Sequence, residues 1–239
     1  MKKTMFVLFG AALMLATPSC KKGANDPGLS LKSRKSRLAG EYTISNITRN
    51  SAYTSSGTTY TSTYTYEGAG TATSVNGTTT TTTPVTLAEM TFKKDGTWDR
   101  KWNYQDISSS STTLFETETK TDHVTVSSGT WAFVGKTKDS YKNKERVQLS
   151  VLTSTDNYTS VTTTKNLISN SVSTTNGSGS STDTYEALEQ VATYAIDMLK
   201  GKEMVFKLDE NRVSTNVDNA GTSTTSTNTS AETMTLTQK

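Results

Sequence analysis

The sequence predicts an all-β fold, built from an antiparallel sheet of about ten strands that closes as a barrel or stacks as a sandwich. Long tracts are dominated by serine and threonine, and threonine favours strands and disfavours helices. Between these tracts, apolar and polar residues alternate in short segments, as they do in strands with one buried face. Hydrophobic residues make up only 32% of the chain. We therefore expect a small core and long polar strands or loops.

The clearest alternation runs through residues 97–104, where every second side chain from Trp98 is an aromatic residue or arginine. Residues 146–151, 204–209 and 233–237 show the same period of two. These segments predict antiparallel strands with one face in water. Further strand candidates are residues 40–48, 60–67, 85–92, 123–134 and 158–168.

Three short motifs predict turns. Asp95-Gly96 lies between two strand candidates and is a strong hairpin signal, so residues 90–93 and 97–104 are expected to pair. Asn76-Gly77 and Asn176-Gly177-Ser178-Gly179 predict loop tips. Two of the polar tracts, residues 169–184 and 222–230, are also compatible with disorder.

Residues 185–199 carry two conflicting signals. Apolar side chains recur there at helical spacing, at Tyr185, Leu188, Val191, Ala192, Ala195 and Leu199. The same region, with Lys200-Gly201-Lys202 and residues 203–208, also has the pattern of a β-hairpin. We expect a short helical or irregular stretch at 185–190, followed by strands.

The N-terminus has the three regions of a secretory signal peptide. Lys2 and Lys3 precede an apolar run over residues 5–16, and small residues lead to Cys20. The run is shorter than the roughly 20 residues that span a bilayer. Residues 1–19 are therefore predicted to be removed as a signal peptide.

Cys20 is the only cysteine, so the chain cannot form an intramolecular disulfide. The stretch Leu15-Ala16-Thr17-Pro18-Ser19-Cys20 resembles a bacterial lipobox, although Thr17 stands where leucine is commonest and Pro18 follows it. The resemblance implies a lipoprotein with palmitate-type lipid on Cys20. The alternative is ordinary secretion with one free thiol.

The resemblance also implies a place in the cell. A lipid-bearing cysteine would hold the chain at the cell envelope, with the membrane as its partner. The residues after Cys20 lack the acidic cluster that resembles a surface-export signal in lipoproteins of Bacteroidota. We therefore expect the periplasmic face of the outer membrane.

Residues 20–37 read as a basic tether between the lipid and the folded domain. The first 38 residues carry a net charge of +7. Because the net charge of the whole chain is +3, the remaining residues carry a net charge of −4. The tether would be attracted to an anionic membrane surface, or serves as a plain linker. The acidic remainder argues against nucleic acid as a partner.

Several short motifs follow one another in a familiar order: Leu38-Ala39-Gly40-Glu41-Tyr42, then residues 91–98, 129–133, 196–205 and the last strand. This order resembles the lipocalin-like lipoproteins of Bacteroidota over most of residues 38–239. The resemblance implies an antiparallel up-and-down lipocalin-like β-barrel domain at 38–239. Gly40 and Tyr42 match the glycine and aromatic positions of the first strand, with tyrosine where tryptophan is usual.

Residues that carry catalytic or metal chemistry are scarce. His123 is the only histidine, and we expect it at the surface near the start of a strand. Glu116, Glu118 and Asp122 alternate with threonine and lysine, as on a solvated face. The glycines follow no nucleotide-binding pattern. The sequence therefore predicts no enzyme, no metal and no cofactor.

One set of side chains could line a binding site inside the barrel. Arg100 lies between Trp98 and Trp102 on one strand face and could make a cation–π contact. The set lines a pocket for a small apolar or amphipathic ligand, or forms a packed core. A second hypothesis is a Thr-rich sheet that binds glycan or protein partners. The ligand-lining candidates are Trp98, Arg100, Trp102, Tyr104, Trp131, Phe133, Met204 and Phe206.

Overall fold

The structure is a computed structural model that describes residues 34–68, 70–134, 145–200, 202–217 and 223–239. The predicted signal peptide, Cys20 and most of the tether lie outside the described residues. The described residues form one short helix and eleven strands, and all of their strand pairs are antiparallel, which confirms the all-β barrel. The elements are α1 (Arg34–Leu38), β1 (Gly40–Ser55), β2 (Thr58–Tyr66), β3 (Thr71–Asn76), β4 (Thr79–Phe92), β5 (Thr97–Ser111), β6 (Phe115–Val134), β7 (Glu145–Asn166), β8 (Val172–Thr184), β9 (Gln190–Lys200), β10 (Glu203–Val217) and β11 (Ser223–Gln238).

Strand pairing closes the barrel at one end, which we call the closed end. There β1 pairs with β11 on one side and, through Gly40 to Thr43, with β4 on the other. The circuit continues through β5, β6, β7, β9 and β10 back to β11. Farther along, β2 and β3 enter between β1 and β4, so the circuit there counts ten strands. The remaining strand, β8, is attached to β7.

At the opposite end, which we call the splayed end, neighbouring strands separate in two places. β5 pairs with β4 only as far as Tyr104, and β10 pairs with β9 only as far as Lys207. Beyond these points β5 to β8 form a four-stranded sheet. The ends of β4, β3, β2, β1, β11 and β10 form a separate six-stranded sheet. The barrel is thus one closed ring that divides into two sheets.

The closed end is filled by apolar side chains. Phe92 is 1% exposed and makes edge-on ring contacts with Tyr42, Trp131 and Phe206 at centroid distances of 5.9–6.2 Å. Each such contact contributes about 0.5–1.5 kcal/mol beyond the area that it buries. The other large side chains that are fully buried among the described residues are Phe206, Leu38, Ile44, Met204, Leu236 and Val147. This half of the interior is a packed core.

Helix α1 covers the closed end of the barrel. The Leu38 side chain is fully buried, and the Tyr42 hydroxyl donates to the carbonyls of Arg37 and Leu38, at 3.1 Å each. The Arg37 guanidinium donates to the carbonyl of Leu199. The Lys35 ammonium lies 5.8 Å from the centre of a Trp131 ring. The last residues of the predicted tether therefore pack on the barrel.

Outward-facing side chains around the closed end are polar. They alternate along each strand with the buried ones, as the period of a strand requires. Glu41, Thr43 and Lys101 are exposed on this outer surface, and Glu89 forms an ion pair there with Lys239. The outside of the closed ring therefore faces water.

Two of the three predicted turns are confirmed. Asp95-Gly96 joins β4 to β5, and the Asp95 carboxylate accepts from the amide and hydroxyl of Thr97 at 2.9 and 2.7 Å. Gly96 has φ of 96°, a left-handed conformation that glycine adopts without strain. Asn76-Gly77 joins β3 to β4.

The predicted loop tip at Asn176-Gly177-Ser178-Gly179 is wrong, because these residues lie in the middle of β8. Gly177 pairs with Ser160 and Gly179 with Tyr158 across β7. A β-carbon at residue 179 would overlap the Tyr158 ring. Gly179 therefore makes room for an aromatic ring on the neighbouring strand. The preference of glycine for turns gives no indication of this role.

The region with conflicting signals folds as an irregular turn followed by a hairpin, which confirms the expected order. Residues 185–189 form the turn, with Leu188 at φ of 70°, and β9 then pairs with β10. Helical spacing of apolar residues did not produce a helix. The polar tracts around it, which were compatible with disorder, contain β8 and the first half of β11.

Candidate functional site

Charged side chains meet inside the barrel where the closed end passes into the splayed end. Glu232 of β11 is 6% exposed and, with Ser150, is one of two buried polar residues among those that the structure describes. It lies directly opposite Arg49 of β1 in the strand register. Tyr194 of β9 and Arg100 of β5 complete what we call the inner polar cluster.

Both oxygens of the Glu232 carboxylate accept from a neighbour. Arg49 donates from Nε to Oε2 at 2.7 Å, and its Nη2 lies 2.5 Å from the same oxygen. The Tyr194 hydroxyl donates to Oε1 at 3.2 Å. A buried carboxylate needs such partners, since an unpaired charge inside a protein is strongly destabilising.

The environment fixes the charges of the cluster. Burial, followed by the negative charge of Glu232, raises the pKa of Tyr194, so its phenol is neutral and donates. Burial lowers the pKa of Arg49, but the adjacent Glu232 carboxylate outweighs that effect and the net pKa is raised. Arg49 and Glu232 therefore form a charged pair, with Tyr194 as a neutral donor.

Arg100 is placed differently from Arg49. Its guanidinium carbon lies 5.1 Å from the centre of a Trp102 ring, which confirms the cation–π contact expected from the sequence. Burial lowers the pKa of Arg100, and its Nε is buried with no hydrogen-bond acceptor. In the part of the chain that the structure describes, no carboxylate lies within ion-pair distance of this guanidinium.

A pocket of about 420 Å³ opens beside the inner polar cluster. Its volume is within the range of small-molecule sites, about 300–1,000 Å³. Arg49, Tyr194 and Glu232 form its polar wall, and Val151, Ala192, Leu208 and Val191 supply apolar surface. The other lining residues are Ser51, Gln190, Glu210, Asn228 and Ser230.

Two other depressions lie nearer the strand tips, with volumes of about 480 and 540 Å³. One is lined mainly by serine, threonine and glutamate of β5 to β7, the other by β1, β2, β10 and β11. Neither has a buried charged side chain in its wall. The pocket beside Glu232 is therefore the candidate site.

A second polar group lies on the four-stranded sheet. The His123 ring stacks on Tyr104 at 4.5 Å between centroids, and Tyr158 tilts against its other side at 6.0 Å. Nδ1 of His123 is 2.8 Å from Asp156, and Nε2 is 3.6 Å from Asp106. We call these five residues the histidine row.

The expected position of His123 is wrong. The residue lies in the middle of β6, not at the start of a strand, and its side chain is only 15% exposed. The strand candidate began at residue 123, whereas β6 already begins at Phe115. Since each ring nitrogen faces a carboxylate, neither is directed at a serine or another nucleophile.

The predicted ligand-lining residues divide among three environments. Five of them are buried in the core: Trp98, Trp102, Trp131, Met204 and Phe206. Phe133 packs edge-on against Trp131 and is partly buried. Arg100 belongs to the inner polar cluster, and Tyr104 to the histidine row. The carboxylates of Glu116, Glu118 and Asp122 are exposed, as predicted.

The buried indole N–H groups of the core find backbone acceptors. Trp98 donates to the carbonyls of Thr130 and Ser150, at 3.1 and 3.2 Å, and Trp131 donates to the carbonyl of Lys93 at 3.1 Å. These bonds hold the two rings within the closed end. The arrangement there is that of a packed core, which the sequence had left as an alternative to a ligand pocket.

Three members of the inner polar cluster were not singled out from the sequence. Glu232 continues the alternation of Met234 and Leu236, and Tyr194 continues that of Ile196. Both therefore stood on the buried face of a strand. Arg49 follows a bulge at Ser45, and the bulge shifts the alternation of buried and exposed side chains by one residue. For this reason the sequence pattern did not show that the Arg49 side chain points into the barrel.

Two absences hold for the described residues. No group of three histidine, cysteine, aspartate or glutamate side chains is arranged there as metal ligands would be. In the same residues, no helix has the length and hydropathy to cross a lipid bilayer.

Comparison with known proteins yields one structural similarity. No family model matches the chain, and no curated protein does. Among solved structures, the chain is similar to the crystal structure of Ail, the attachment invasion locus protein of Yersinia pestis. The identity is 10%, the TM-score is 0.30, and the alignment covers 83% of this chain and 99% of that one. A likeness at this level carries no argument about function.

Proposed function

We propose that this chain is a lipid-anchored protein of the cell envelope whose barrel binds a small amphipathic ligand without catalysis. The observation that carries the proposal is the division of the barrel interior. Its closed end is a packed core, and a pocket lined by both polar and apolar side chains lies where the strands diverge. The volume of this pocket is within the range of small-molecule sites.

The packed core decides which part of the barrel receives the ligand. A ligand seated among Trp98, Trp131 and Phe206 would have to displace side chains that are at most 5% exposed. The pocket beside Glu232 needs no such displacement. Its polar lining favours a ligand with a polar group, whereas a wholly apolar ligand would displace water from that lining without replacing the hydrogen bonds of the water.

The absence of catalysis is part of the proposal. His123 is held by Asp156 and Asp106 through its two ring nitrogens. A general base needs one ring nitrogen directed at the group from which it takes a proton. The inner polar cluster has a carboxylate that is already hydrogen-bonded on both oxygens, so it is a poor base as well.

The proposed anchor is a lipid on Cys20, with the barrel on the periplasmic face of the outer membrane. The outer surface of the closed ring carries Glu41, Lys101 and Thr43, whereas a barrel embedded in lipid presents an apolar band outward. A barrel with this surface is held at a membrane by something other than its strands. The basic tether would then lie next to the bilayer.

Metabolic labelling tests the anchor. Cells that express the full chain are fed a radioactive or clickable palmitate, and the label on the protein is compared with that of Cys20→Ser. We expect label and membrane association in the unaltered chain and neither in the variant. Label on both chains, or on neither, would contradict lipidation at Cys20.

Binding is tested on the chain from residue 20 onward with Cys20→Ser. Tryptophan fluorescence is titrated with amphipathic probes such as laurate, lysophospholipid and an environment-sensitive dye. Trp102 stacks on Arg100, so occupancy nearby should change its emission. Ala192→Trp, which narrows the pocket, should abolish a saturable response, while Thr130→Ala on the outer surface should not. No saturable response to any probe would contradict the proposal.

The histidine row favours a second candidate function, the binding of glycan by the Thr-rich sheet. Tyr158 is 39% exposed, and the carboxylates of Asp106 and Asp156 lie beside the ring row. Aromatic faces with neighbouring carboxylates and hydroxyls can bind sugar rings. Screening the same chain and its Tyr158→Ala variant against immobilised glycans separates the two functions. Retention of a glycan that is lost in the variant would favour this candidate.

A further inference from the structure

Strand β8 forms an edge of the four-stranded sheet at the splayed end. It pairs with β7 along its whole length, from Val172 to Thr184, and no other strand of the described residues pairs with it. Gly179 is partly buried, and every other residue of β8 is exposed. The 13 residues of β8 therefore present a long strand edge that the described residues leave uncovered.

The backbone groups of β8 point alternately toward β7 and away from it. At one end of the pairing, the Asn166 amide donates to the Ser171 carbonyl at 2.9 Å. At the other end, the Tyr185 amide donates to the Leu152 carbonyl, also at 2.9 Å. The register between these bonds has no shift, so the odd-numbered residues of β8 bond to β7, because the direction of the bonds alternates along a strand. The residues whose amide and carbonyl groups point away from β7 are Val172, Thr174, Asn176, Ser178, Ser180, Thr182 and Thr184.

Strand β8 lacks the features that usually keep strand edges apart. Proline, lysine, other charges and bulges protect such edges in natural proteins. β8 contains no proline, lysine or arginine, its register is unbroken, and Asp183 is its only charged residue. Elsewhere at the splayed end, Pro84 lies on the edge of β4 and Asp106 on that of β5. Asp209 and Glu210 lie on the edge of β10. Of these edges, β8 is the best suited to pair with a further strand.

The sequence of β8 is complementary to itself in the antiparallel direction. When two copies pair about a two-fold axis at Ser178, all 13 residues have an opposite, and the outward-pointing residues form the hydrogen-bonded pairs. Asp183 then lies opposite a serine of the other copy, so no like charges meet. Thr174 lies opposite Thr182, whose hydroxyl is 3.0 Å from that of Thr155 on β7. Since a hydroxyl both donates and accepts, this row of hydroxyl contacts can continue into the second copy.

We propose that two copies of this chain associate through β8, which pairs with β8 of the second copy and joins their four-stranded sheets into one. A nearly uncharged edge offers little to a charged partner, whereas the same edge of a second copy matches it in backbone groups and hydroxyls. Both copies use the same edge, so the assembly stops at two. The inference goes beyond the proposed function, because no residue of β8 lines the pocket beside Glu232.

Sedimentation equilibrium tests the association. The chain from residue 20 onward carries Cys20→Ser, and its mass should rise from one chain toward two between about 1 µM and about 1 mM. Ser178→Pro removes an amide that points away from β7, so the β7–β8 pairing and the melting temperature in dilute solution should be retained. It should weaken the dimer roughly tenfold, because one central hydrogen bond is lost from each copy. Ser178→Ala keeps the amide and is the matched control, with unchanged association.

A charge on the two-fold axis tests the register. Residue 178 lies opposite itself in the proposed pairing, and its side chain is exposed. Ser178→Lys and Ser178→Glu should each dimerise a few-fold more weakly, because like charges meet directly. An equal mixture of the two should recover the dimer, since opposite charges then meet. Thr159→Lys and Thr159→Glu lie one strand away on β7, at an exposed position, and should each dimerise as the unaltered chain does.

Contrary results would each overturn the inference. A chain that stays monomeric throughout the concentration range would show that the β8 edge does not pair. A dimer that Ser178→Pro, Ser178→Lys and Ser178→Glu leave unchanged would place the interface elsewhere. If Ser178→Pro also lowers the melting temperature, the two charged variants decide, because an exposed side chain leaves the backbone bonds to β7 intact. A mixture of these variants that associates no better than either alone would rule out the two-fold pairing.

Discussion

Arg49 and Glu232 occupy facing positions on β1 and β11, and their side chains form an ion pair inside the barrel although 183 residues separate them in the chain. The Glu232 end of the pair is 5% exposed, and the Arg49 side chain is half exposed. The pair therefore joins the first and last strands of the ring from within. It also supplies the polar wall of the candidate site.

Replacing Glu232 by glutamine should destabilise the barrel. Glu232→Gln keeps the size of the side chain but removes the negative charge that pairs with Arg49. We expect a loss of about 1–3 kcal/mol, below the usual value for a buried pair because Arg49 is partly solvated. Urea unfolding followed by tryptophan fluorescence measures it. Glu203→Gln, at an exposed position on β10, is the control, and an equal effect of both changes would contradict the role of the pair.

Stability should fall at high pH partly through Tyr194. Burial and the nearby Glu232 raise its pKa in the folded state, so the phenol stays neutral there while an unfolded tyrosine ionises near pH 10. The contribution of the raised pKa is complete below that pH and is lost as the pH rises above it. Tyr194→Phe should therefore show a shallower decline of the unfolding free energy above about pH 10.

The same titration with Tyr60→Phe provides the control, since Tyr60 is 60% exposed on β2. That variant should keep the slope of the unaltered chain. If both variants have the same slope, ionisation of Tyr194 is not what destabilises the barrel in alkali.

Gly179 and Tyr158 should show strong energetic coupling. A β-carbon at residue 179 would overlap the Tyr158 ring, so Gly179→Ala alone should destabilise by about 1–2 kcal/mol. In a Tyr158→Ala background the ring is gone. Alanine should then stabilise β8 by a few tenths to about 1 kcal/mol, because glycine is the poorer residue in a strand.

A double-mutant cycle with thermal or urea unfolding measures this coupling. Gly179→Ala in a Leu114→Ala background is the comparison, since Leu114 is exposed at the distant tip of the sheet. The prediction requires a change of sign with Tyr158→Ala and none with Leu114→Ala. The same negative effect in both backgrounds would mean that the ring does not occupy the space above Gly179.

The ring contacts of Phe92 should make it one of the most sensitive core positions. It is 1% exposed and touches three aromatic rings, from β1, β6 and β10. Phe92→Ala should cost about 3–5 kcal/mol through lost transfer energy and a cavity. Leu114→Ala, at an exposed position, should change the unfolding free energy by less than about 0.5 kcal/mol. A loss below about 1 kcal/mol for Phe92→Ala would show that the closed end is loosely packed.

Local patterns were enough to predict much of the fold. The alternation around Trp98 and Trp102 placed both rings on one face of a strand, which the structure shows to be the buried face, and Asp95-Gly96 located the β4–β5 hairpin. The small apolar fraction predicted long polar strands or long polar loops, and the 20 and 22 residues of β6 and β7 show that the strands are long. These features follow from residues near one another in the chain, whose side chains must alternate between core and water.

The candidate site was only partly visible in the sequence. Arg100 was singled out because two tryptophans flank it on one strand. Its lack of a partner depends on where Glu232 and Arg49 lie, and those residues come from strands at opposite ends of the chain. No local pattern tells which of several buried charges will pair.

The sequence by itself determined that the chain forms strands with one apolar face, where the main hairpin turns, and that Arg100 shares a strand face with Trp98 and Trp102. Only the tertiary structure decided that the ring closes at one end and divides at the other, and that Glu232 pairs with Arg49 and not with Arg100. The physical reason is that strand alternation is a local property, whereas closure, divergence and charge pairing depend on contacts between segments far apart in the chain. Gly179 shows the same limit of sequence-based prediction. The reason for a glycine at this position is the Tyr158 ring of the neighbouring strand, which occupies the space that a β-carbon would need.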